Sequence, residues 1–290
     1  MPELPEVEVA SRQLRSWLLG RRIVGARAAK SRILRPQGPR RFASLAGHAL
    51  LSIERRGKWM LLDFDRGESL LSHLGMTGKW MRRREDQTPP PHVRASLQLD
   101  DGNAVDYRDP RLFGRLIRGK PAELRGHAGW KALGPDPLVD GIDAERLHRV
   151  LSSTRRSVKE ALMDQRTLAG LGNIHVGESL HRAGVHPQRA GTSLTPDETD
   201  RLAGAITVSI QFALAEEDGP EPITYVEEDP SANVFLVYDH ATEPCRTCGT
   251  RIERIVQGGR STFFCPLCQP LRPGKQPRGA RKPAGKRRSG

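Results

Sequence analysis

The sequence predicts an α+β chain of several domains, with short β-strands in the first part and helices in the second. Three observations support this prediction. Short apolar runs separated by turn residues fill the region from about 23 to 118. A Gly- and Pro-rich stretch at 119–142 then leads into a region with helix caps and helical periodicity. Finally, four cysteines in two Cys-x2-Cys pairs lie near the end of the 290 residues, which suffice for two or more domains.

The first predicted element is a helix close to the amino terminus. Its apolar stripe comprises Leu4, Val7, Leu14 and Leu18. Gly20 supplies a stop signal, and Pro5 suits a first helical turn. The acids Glu3 and Glu6 complement the positive end of the helix dipole. We therefore expect a helix that runs to about residue 19.

The same residues also allow a chemical interpretation. Removal of Met1 would make Pro2 the amino terminus, and α-amino groups have ordinary pKa values of ~7.7–8.0. Such an amine is partly unprotonated near neutral pH and is therefore nucleophilic. Glu3 beside it can move a proton while the amine attacks a carbon. Taken alone, this stretch leaves both interpretations open.

The region from 23 to 118 predicts a β-sandwich or barrel against which the first helix packs. Examples of the predicted strands are 48–54, 59–64, 69–74, 95–99 and 104–107. Asp65-Arg66-Gly67 and Asp100-Asp101-Gly102-Asn103 supply turns between them. Several short strands at this spacing are typical of all-β layers.

The region after residue 142 predicts helices. Asp143 can cap a helix over 144–151, a short helix is predicted at 158–164, and a Gly-rich loop leads into 174–183. Thr195-Pro196-Asp197-Glu198 is a capping box with proline at the first helical position, so a long helix to about 215 should follow. Residues 217–236 predict an irregular loop.

The charge favours a polyanionic partner, with nucleic acid first among them. Lys and Arg exceed Asp and Glu by 13, and eight of those positive charges lie in 271–290, a stretch without acids that is predicted to be disordered. No run of about 18 apolar residues occurs, and the amino terminus lacks a signal-peptide pattern. We therefore expect a cytoplasmic, nucleoid-associated protein, and a monomer.

The cysteines predict one structural zinc ion. Cys245 and Cys248 form one pair, Cys265 and Cys268 the other, and 16 residues separate the pairs. Each Cys-x2-Cys turn can present two thiolates, and the gap fits four-cysteine zinc sites. Two disulfides are the alternative that a cytoplasmic setting disfavours, and iron is a further alternative. Between the pairs, Gly258-Gly259 predicts a hairpin turn followed by Arg260, which can either meet an anion or remain a solvated turn residue.

Other residues have two interpretations each. Lys58 begins an apolar strand and is either an edge residue or functional. Met76, between glycines 75 and 78, and Phe113, two residues after Arg111, either insert between DNA bases or fold back into the core. Arg111 can reach a base edge. The turn at 170–173 opens a helix and can hold a phosphate on its backbone N–H groups, although Gly-x-Gly alone is a weak signal.

Together these motifs resemble the family of formamidopyrimidine-DNA glycosylases and endonuclease VIII enzymes. The matching motifs are Pro-Glu-Leu-Pro-Glu-Val-Glu at 2–8, Arg-Arg-Gly-Lys at 55–58, His-Leu-Gly-Met-Thr-Gly at 73–78, Asp-Pro-Arg-Leu-Phe-Gly at 109–114, the segment 162–174 and the cysteine hairpin at 245–268. The resemblance implies a catalytic β-sandwich domain at 1–120, a linker at 121–142, a helix-two-turn-helix domain at 143–240, a zinc finger at 241–270 and a basic tail at 271–290. Damaged double-stranded DNA would lie in the cleft.

The resemblance also implies residue roles in a bifunctional glycosylase and abasic-site lyase. Pro2 would attack C1′ of the damaged nucleotide and form a Schiff base, and Glu3 would donate a proton and then act as acid and base. Glu6 would support the amino terminus, Lys58 would donate a proton in β-elimination, and Arg260 would take part in δ-elimination. The residues implied to contact DNA are Met76, His92, Arg111, Phe113, Arg155, Lys159 and Asn173. Extrusion of the nucleotide agrees with chemistry at C1′, because wedges offset part of the unstacking cost.

Some residues depart from the family pattern. His175, Val176 and Gly177 replace a Tyr followed by a small and an acidic residue, and Leu112 replaces a frequent arginine. The stretch 224–230 is acidic where enzymes for oxidised guanine carry a Gly- and Lys-containing loop. We expect oxidised purines such as formamidopyrimidines or 8-oxoguanine as substrates, with oxidised pyrimidines as an alternative. A non-catalytic zinc-finger DNA-binding protein, or an enzyme that uses Pro2 as a base on a small molecule, are further alternatives.

Overall fold

A computed structural model describes residues 2–216, 225, 228 and 233–272. The helices are α1 (Leu4–Leu18), α2 (Pro39–Ala43), α3 (Pro121–Arg125), α4 (Ala128–Lys131), α5 (Ala144–Ser152), α6 (Val158–Leu162), α7 (Asn173–Ala183) and α8 (Pro196–Glu216). The strands are β1 (Ile23–Ala28), β2 (Leu50–Arg56), β3 (Trp59–Phe64), β4 (Glu68–His73), β5 (Lys79–Arg84), β6 (Val93–Leu99), β7 (Asn103–Arg108), β8 (Arg115–Gly119), β9 (Glu253–Gln257) and β10 (Arg260–Phe264). Short 3₁₀ turns lie at Arg32–Leu34, Asp65–Gly67 and Gly191–Ser193.

The first eight strands form two four-stranded antiparallel sheets, in the orders β1-β6-β7-β5 and β2-β3-β4-β8. Leu14 and Leu18 of α1 pack with Met60, Leu62 and Tyr107 in the core that the sheets share. This confirms the predicted sandwich and its packing against the first helix. Strands β1, β5 and β8 lie outside the predicted runs. Three of the six residues of β5 are arginines, so its pairing with β7 rather than its composition makes it a strand.

The Gly- and Pro-rich stretch that predicts a linker is partly helical, because it contains α3 and α4. Leu124 and Trp130 from these short helices are buried against Leu61 and Leu71 on the outer face of a sheet. The connection between the two regions is therefore packed against the sheet, although it is rich in proline and glycine.

Helices α5 to α8 share a second core, to which Leu4 of α1 also belongs. Two of their caps, those of α5 and α8, are the ones that the sequence predicts. The Oδ1 atom of Asp143 accepts the N–H of Arg146 at 3.0 Å. In the capping box of α8, Glu198 accepts the N–H of Thr195 at 3.0 Å and donates its own N–H to the Thr195 hydroxyl at 3.2 Å.

Strands β9 and β10 form the predicted hairpin, which carries the cysteines at its base. Most of the predicted loop at 217–236 and nearly all of the predicted basic tail at 271–290 lie outside the described residues. In the part of the chain that the structure describes, none of the helices is long and apolar enough to cross a membrane.

Candidate active site and zinc site

Glu3 joins the amino terminus to the start of α7. Its carboxylate is almost fully buried and accepts three backbone N–H groups, from Gly172 at 2.7 Å, Ile174 at 2.8 Å and His175 at 3.2 Å. Burial by itself would raise the pKa of Glu3. The neighbouring Lys58, His175 and these N–H groups outweigh burial, so that the pKa is lowered. Glu3 is therefore a carboxylate at neutral pH and sits at the positive end of a helix.

Glu6 supports this arrangement from the first turn of α1. Its Oε2 atom accepts the N–H of Glu3 at 2.9 Å, and its side chain is buried. The N–H of Leu4 donates to the carbonyl of Gly170 at 3.0 Å. Pro2, immediately before these anchors, is also buried. The predicted helix start and the predicted chemical cluster thus occupy the same place, so the two interpretations of the amino terminus are compatible.

The glycines at 170 and 172 permit this close approach. A Cβ at Gly172 would lie 2.4 Å from Oε1 of Glu3 and 2.6 Å from Nζ of Lys58. Gly170 has φ +93°, and a Cβ there would lie 2.7 Å from Cβ of Leu4. The weak Gly-x-Gly signal at 170–172 therefore has a steric cause: two segments about 170 residues apart meet here with no room for side chains.

Lys58 lies beside Glu3, at the turn between β2 and β3. Burial lowers the pKa of Lys58, and Arg260 lowers it further, while Glu3 and Glu6 act in the opposite direction. Among the residues that the structure describes, none accepts a hydrogen bond from its Nζ atom. The turn that precedes Lys58 is held by the buried Asp136, which accepts the N–H of Gly57 at 2.7 Å and pairs with Arg55 at 2.5 Å and 3.0 Å.

A cavity of about 500 Å³ has Lys58, Gly172 and Arg260 in its wall. Arg260 is the first residue of β10 and is exposed, as predicted for a residue just after the hairpin turn. His73, to which the sequence motifs assign no role, lines the same cavity and packs against Trp59 with ring centroids 4.6 Å apart. Nδ1 of His73 accepts the N–H of Gly75 at 3.0 Å, and burial lowers the pKa to about 4. The ring is thus neutral, and Nε2 carries its proton.

The two wedge candidates lie on neighbouring loops. A Cβ at Gly75 would lie 2.4 Å from the carbonyl carbon of Phe113, so the loops at 73–78 and 109–114 are in close contact. Asp109 links them, because its Oδ1 atom accepts the Thr77 hydroxyl at 2.7 Å. Met76 is half-buried, whereas Phe113 is 45% exposed beside the exposed Arg111. Of the two, Phe113 is the more accessible.

The remaining predicted DNA contacts differ in their accessibility. His92 and Arg155 are exposed. Asn173 is half-buried and donates from Nδ2 to the carbonyl of Ser261 at 3.0 Å, which ties α7 to the hairpin. Lys159 is almost fully buried, and its Nζ atom donates to the Thr262 hydroxyl and to the Ser261 carbonyl at 3.3 Å. This position does not favour direct contact of Lys159 with DNA; the lysine holds β10 against α6. Burial also lowers the pKa of Lys159 to about 8.

The four cysteines converge at the base of the hairpin. All four Sγ atoms lie within 4.8 Å of one another, with 3.9 Å between Cys245 and Cys268 and 3.4 Å between Cys248 and Cys265. Tetrahedral zinc with bonds of ~2.3 Å places sulfurs about 3.8 Å apart, so the donor set fits one zinc ion. His181, which no sequence motif indicates, lies next to this cluster: its Nε2 atom is 3.4 Å from Sγ of Cys245 and can donate to that thiolate.

Comparison with known proteins agrees with this geometry. The model of the formamidopyrimidine-DNA glycosylase N-terminal domain matches residues 1–116, that of the H2TH domain 133–221, and that of the zinc finger found in FPG and IleRS 243–271. A formamidopyrimidine-DNA glycosylase of Bacillus licheniformis is 39% identical over 275 residues, which cover 93% of this chain and 99% of that protein. The corresponding protein of Bacillus subtilis is 38% identical with the same coverage.

Solved structures give the same result. Fpg of Lactococcus lactis in complex with DNA that contains an abasic site has a TM-score of 0.84 and 29% identity, and covers 93% of this chain and 100% of that one. A complex of the same enzyme with DNA that contains Fapy-dG has the same TM-score and coverage with 28% identity.

Proposed function

Because the chain belongs to the formamidopyrimidine-DNA glycosylase family, we propose that it excises an oxidised purine from double-stranded DNA and then cleaves the strand as a lyase. One observation carries this proposal. The residue next to Pro2 is a carboxylate fixed by three backbone N–H groups, and Lys58 and Arg260 face a common cavity beside it. A nucleophile, an acid–base group and two cations thus come together where the two domains meet.

The first step uses Pro2 and Glu3. After removal of Met1, the amine of Pro2 attacks C1′, a new N–C1′ bond forms, the bond from C1′ to the base breaks, and the departing base takes a proton from water. Because the pKa of Glu3 is lowered, Glu3 begins as a carboxylate and accepts the proton that the attacking nitrogen loses. It then delivers this proton to O4′ as the sugar ring opens. The product is a Schiff base between Pro2 and C1′.

The second step cleaves the strand. Glu3, which has given its proton to O4′, takes a proton from C2′ and the bond to the 3′ oxygen breaks, which is β-elimination from the Schiff base. The ammonium form of Lys58, which the neighbouring Glu3 and Glu6 favour and burial disfavours, can donate a proton to the departing group. Arg260 lines the same cavity and can stabilise the phosphate that leaves in δ-elimination. Hydrolysis of the Schiff base then releases Pro2 for a further cycle.

The DNA would be held by residues on both domains. Met76, Arg111 and Phe113 are proposed to fill the gap left by the flipped nucleotide, and His92, Arg155 and Asn173 to contact the backbone. Zinc would stabilise the hairpin that carries Arg260 and takes no part in the bond changes. Reaction at C1′ would require the damaged nucleotide to leave the base stack, as in other enzymes that act on flipped nucleotides.

The lesion preference is a separate part of the proposal. Two described residues of the acidic stretch, Tyr225 and Glu228, contact the β-sandwich. The Tyr225 hydroxyl donates to the carbonyl of Gly78 at 2.7 Å, and Glu228 pairs with Lys79 and, at 3.8 Å, with Arg108. Through these contacts, Tyr225 and Glu228 lie against the β-sandwich close to the loop that carries Met76. A panel of duplexes with single oxidised purines or pyrimidines should show faster excision of the purines, and the reverse order would reject this preference.

Borohydride trapping on a duplex with an abasic site tests the central proposal. The wild type should form a covalent adduct, and Pro2→Ala should lose most of it, because the secondary amine is replaced by a primary one in altered geometry. Pro5→Ala is the matched control, since it removes a proline from the same turn without changing the terminal amine. The proposal fails if the wild type forms no adduct, or if Pro2→Ala traps as well as Pro5→Ala.

A further inference from the structure

Arg32 contacts the loop that carries Phe113, although it belongs to a distant part of the sequence. It is the first residue of the 3₁₀ turn Arg32–Leu34, which follows β1. Its guanidinium donates from Nε to the carbonyl of Leu112 at 2.7 Å and from Nη2 to the carbonyl of Arg111 at 2.6 Å. The guanidinium carbon also lies 4.8 Å from the ring centroid of Phe113. One side chain thus binds three consecutive residues of this loop.

The loop needs such support because its backbone is unusual and its tip is exposed. Leu112 has φ +60°, a left-handed conformation that a residue with a Cβ adopts at a cost. Asp109 holds the turn from one side, accepting the N–H groups of Leu112 at 3.0 Å and of Gly114 at 2.8 Å. Arg32 holds the carbonyl groups of the same turn. The donors and acceptors of the turn are therefore both fixed.

The aromatic ring at the tip has two arginine neighbours. The guanidinium of Arg111 lies 5.1 Å from the Phe113 ring centroid, in addition to that of Arg32. Both distances are within the range of cation–π attraction, which restricts the ring without covering it. A ring that enters DNA must keep its direction while bases unstack against it.

We propose that Arg32 is a positioning residue that holds Phe113 ready to enter the DNA stack. This inference rests on the proposed DNA function but concerns a residue to which that function assigns no role. The fork of the guanidinium is essential, because two carbonyl groups are bound at once, and the single ammonium of a lysine reaches one of them. If Arg32 instead acted only as a positive charge that attracts DNA, a lysine at this position would serve equally well.

The test uses a duplex with a stable abasic-site analogue and 2-aminopurine as the opposite base, whose fluorescence reports its stacking. The Phe113→Ala variant gives the fluorescence change that is expected when no aromatic ring enters the DNA stack. Arg32→Ala should lower the wild-type fluorescence change towards that signal and weaken binding about tenfold, the effect of losing charge-assisted hydrogen bonds. Arg32→Lys should fall between the wild type and Arg32→Ala. Lys30→Ala, which removes an exposed charge two residues earlier, should match the wild type.

Two results would overturn the proposal: an Arg32→Lys variant with the wild-type signal, which would show that charge suffices, or an Arg32→Ala variant that matches Lys30→Ala. Thermal unfolding of each variant confirms that the fold is kept. Borohydride trapping at saturating enzyme separates this proposal from the function on which it rests. If the wild type forms the covalent adduct but Arg32→Ala and Lys30→Ala give the same fluorescence and binding, only the role of Arg32 is rejected. If the wild type forms no adduct, the catalytic proposal is rejected.

Discussion

Gly172→Ala tests the catalytic arrangement with a single methyl group. The new Cβ would lie 2.4 Å from Oε1 of Glu3 and 2.6 Å from Nζ of Lys58. Glu3 would have to move by roughly 1 Å to reach ordinary contact. The backbone at Gly172 has φ −143° and suits alanine, so the effect is one of space and not of conformation. A misplacement of that size costs about 100-fold in rate, or about 2.7 kcal/mol in the barrier.

The fold should survive this change. Displacement weakens hydrogen bonds between Glu3 and the N–H groups at the start of α7, which should lower the free energy of unfolding by about 2 kcal/mol. For a chain of this size the melting temperature would then fall by about 4 °C. Gly177→Ala is the matched control. It lies in the same helix with no atom within 4 Å of its Cβ, and it should be slightly stabilising, by about 0.5–1 kcal/mol.

The assay is single-turnover cleavage of an abasic-site duplex at saturating enzyme, which separates the chemical steps from binding. Gly172→Ala should be about 100-fold slower, and Gly177→Ala should cleave at the wild-type rate. If Gly172→Ala also cleaves at the wild-type rate, the contact of Glu3 and Lys58 with this glycine does not matter for catalysis, and the proposed roles are wrong.

Three further predictions follow from charges and metal ligands. Arg260→Gln removes a cation that lowers the pKa of Lys58. The pH above which the rate of β-elimination declines should therefore be higher in this variant than in the wild type. A decline at the same or a lower pH would contradict this prediction. Arg189 lowers the pKa of Glu198 to about 2, below the ordinary value of ~4.3. This stabilisation is complete above the unfolded pKa and is lost as pH falls through about 2. Glu198→Gln should therefore lower the free energy of urea unfolding by about 2–3 kcal/mol at pH 7 and by less at pH 3, and an equal loss at both would refute the assignment. Chelation of zinc, verified by metal analysis, should weaken DNA binding and melt the hairpin together, and unchanged binding would show that the hairpin needs no metal.

Much of the fold follows from local sequence signals. The cap of α5 by Asp143 and the capping box of α8 depend on residues within one turn of the helix, so they can be read directly from the sequence. The turn between β3 and β4 is equally local. Strand β5 is hard to predict, because Arg82, Arg83 and Arg84 are consecutive and only the pairing with β7 makes this stretch a strand. The sequence does not predict helices α3 and α4, because glycines and prolines surround them.

The candidate site likewise combines residues that local motifs predict with long-range contacts that they do not. Glu3, Lys58 and the cysteines belong to motifs that the sequence carries at fixed spacing. The contacts that hold them are long-range: Asp136 reaches Arg55 across 81 residues, and Gly172 meets Glu3 across 169. Lys159 shows the reverse case, in which a basic residue that suggests DNA contact is directed inward by the fold. Composition cannot reveal that direction.

The residue that becomes bonded to the DNA sugar can be identified chemically, which decides whether Pro2 is the nucleophile. The adduct from borohydride reduction can be digested with protease and nuclease, and its peptides sequenced by mass spectrometry. We predict that the sugar remnant lies on the nitrogen of Pro2 in a chain that has lost Met1, and that Lys58 carries none. A remnant on Lys58, the amine that lies beside Glu3, would contradict the proposed mechanism.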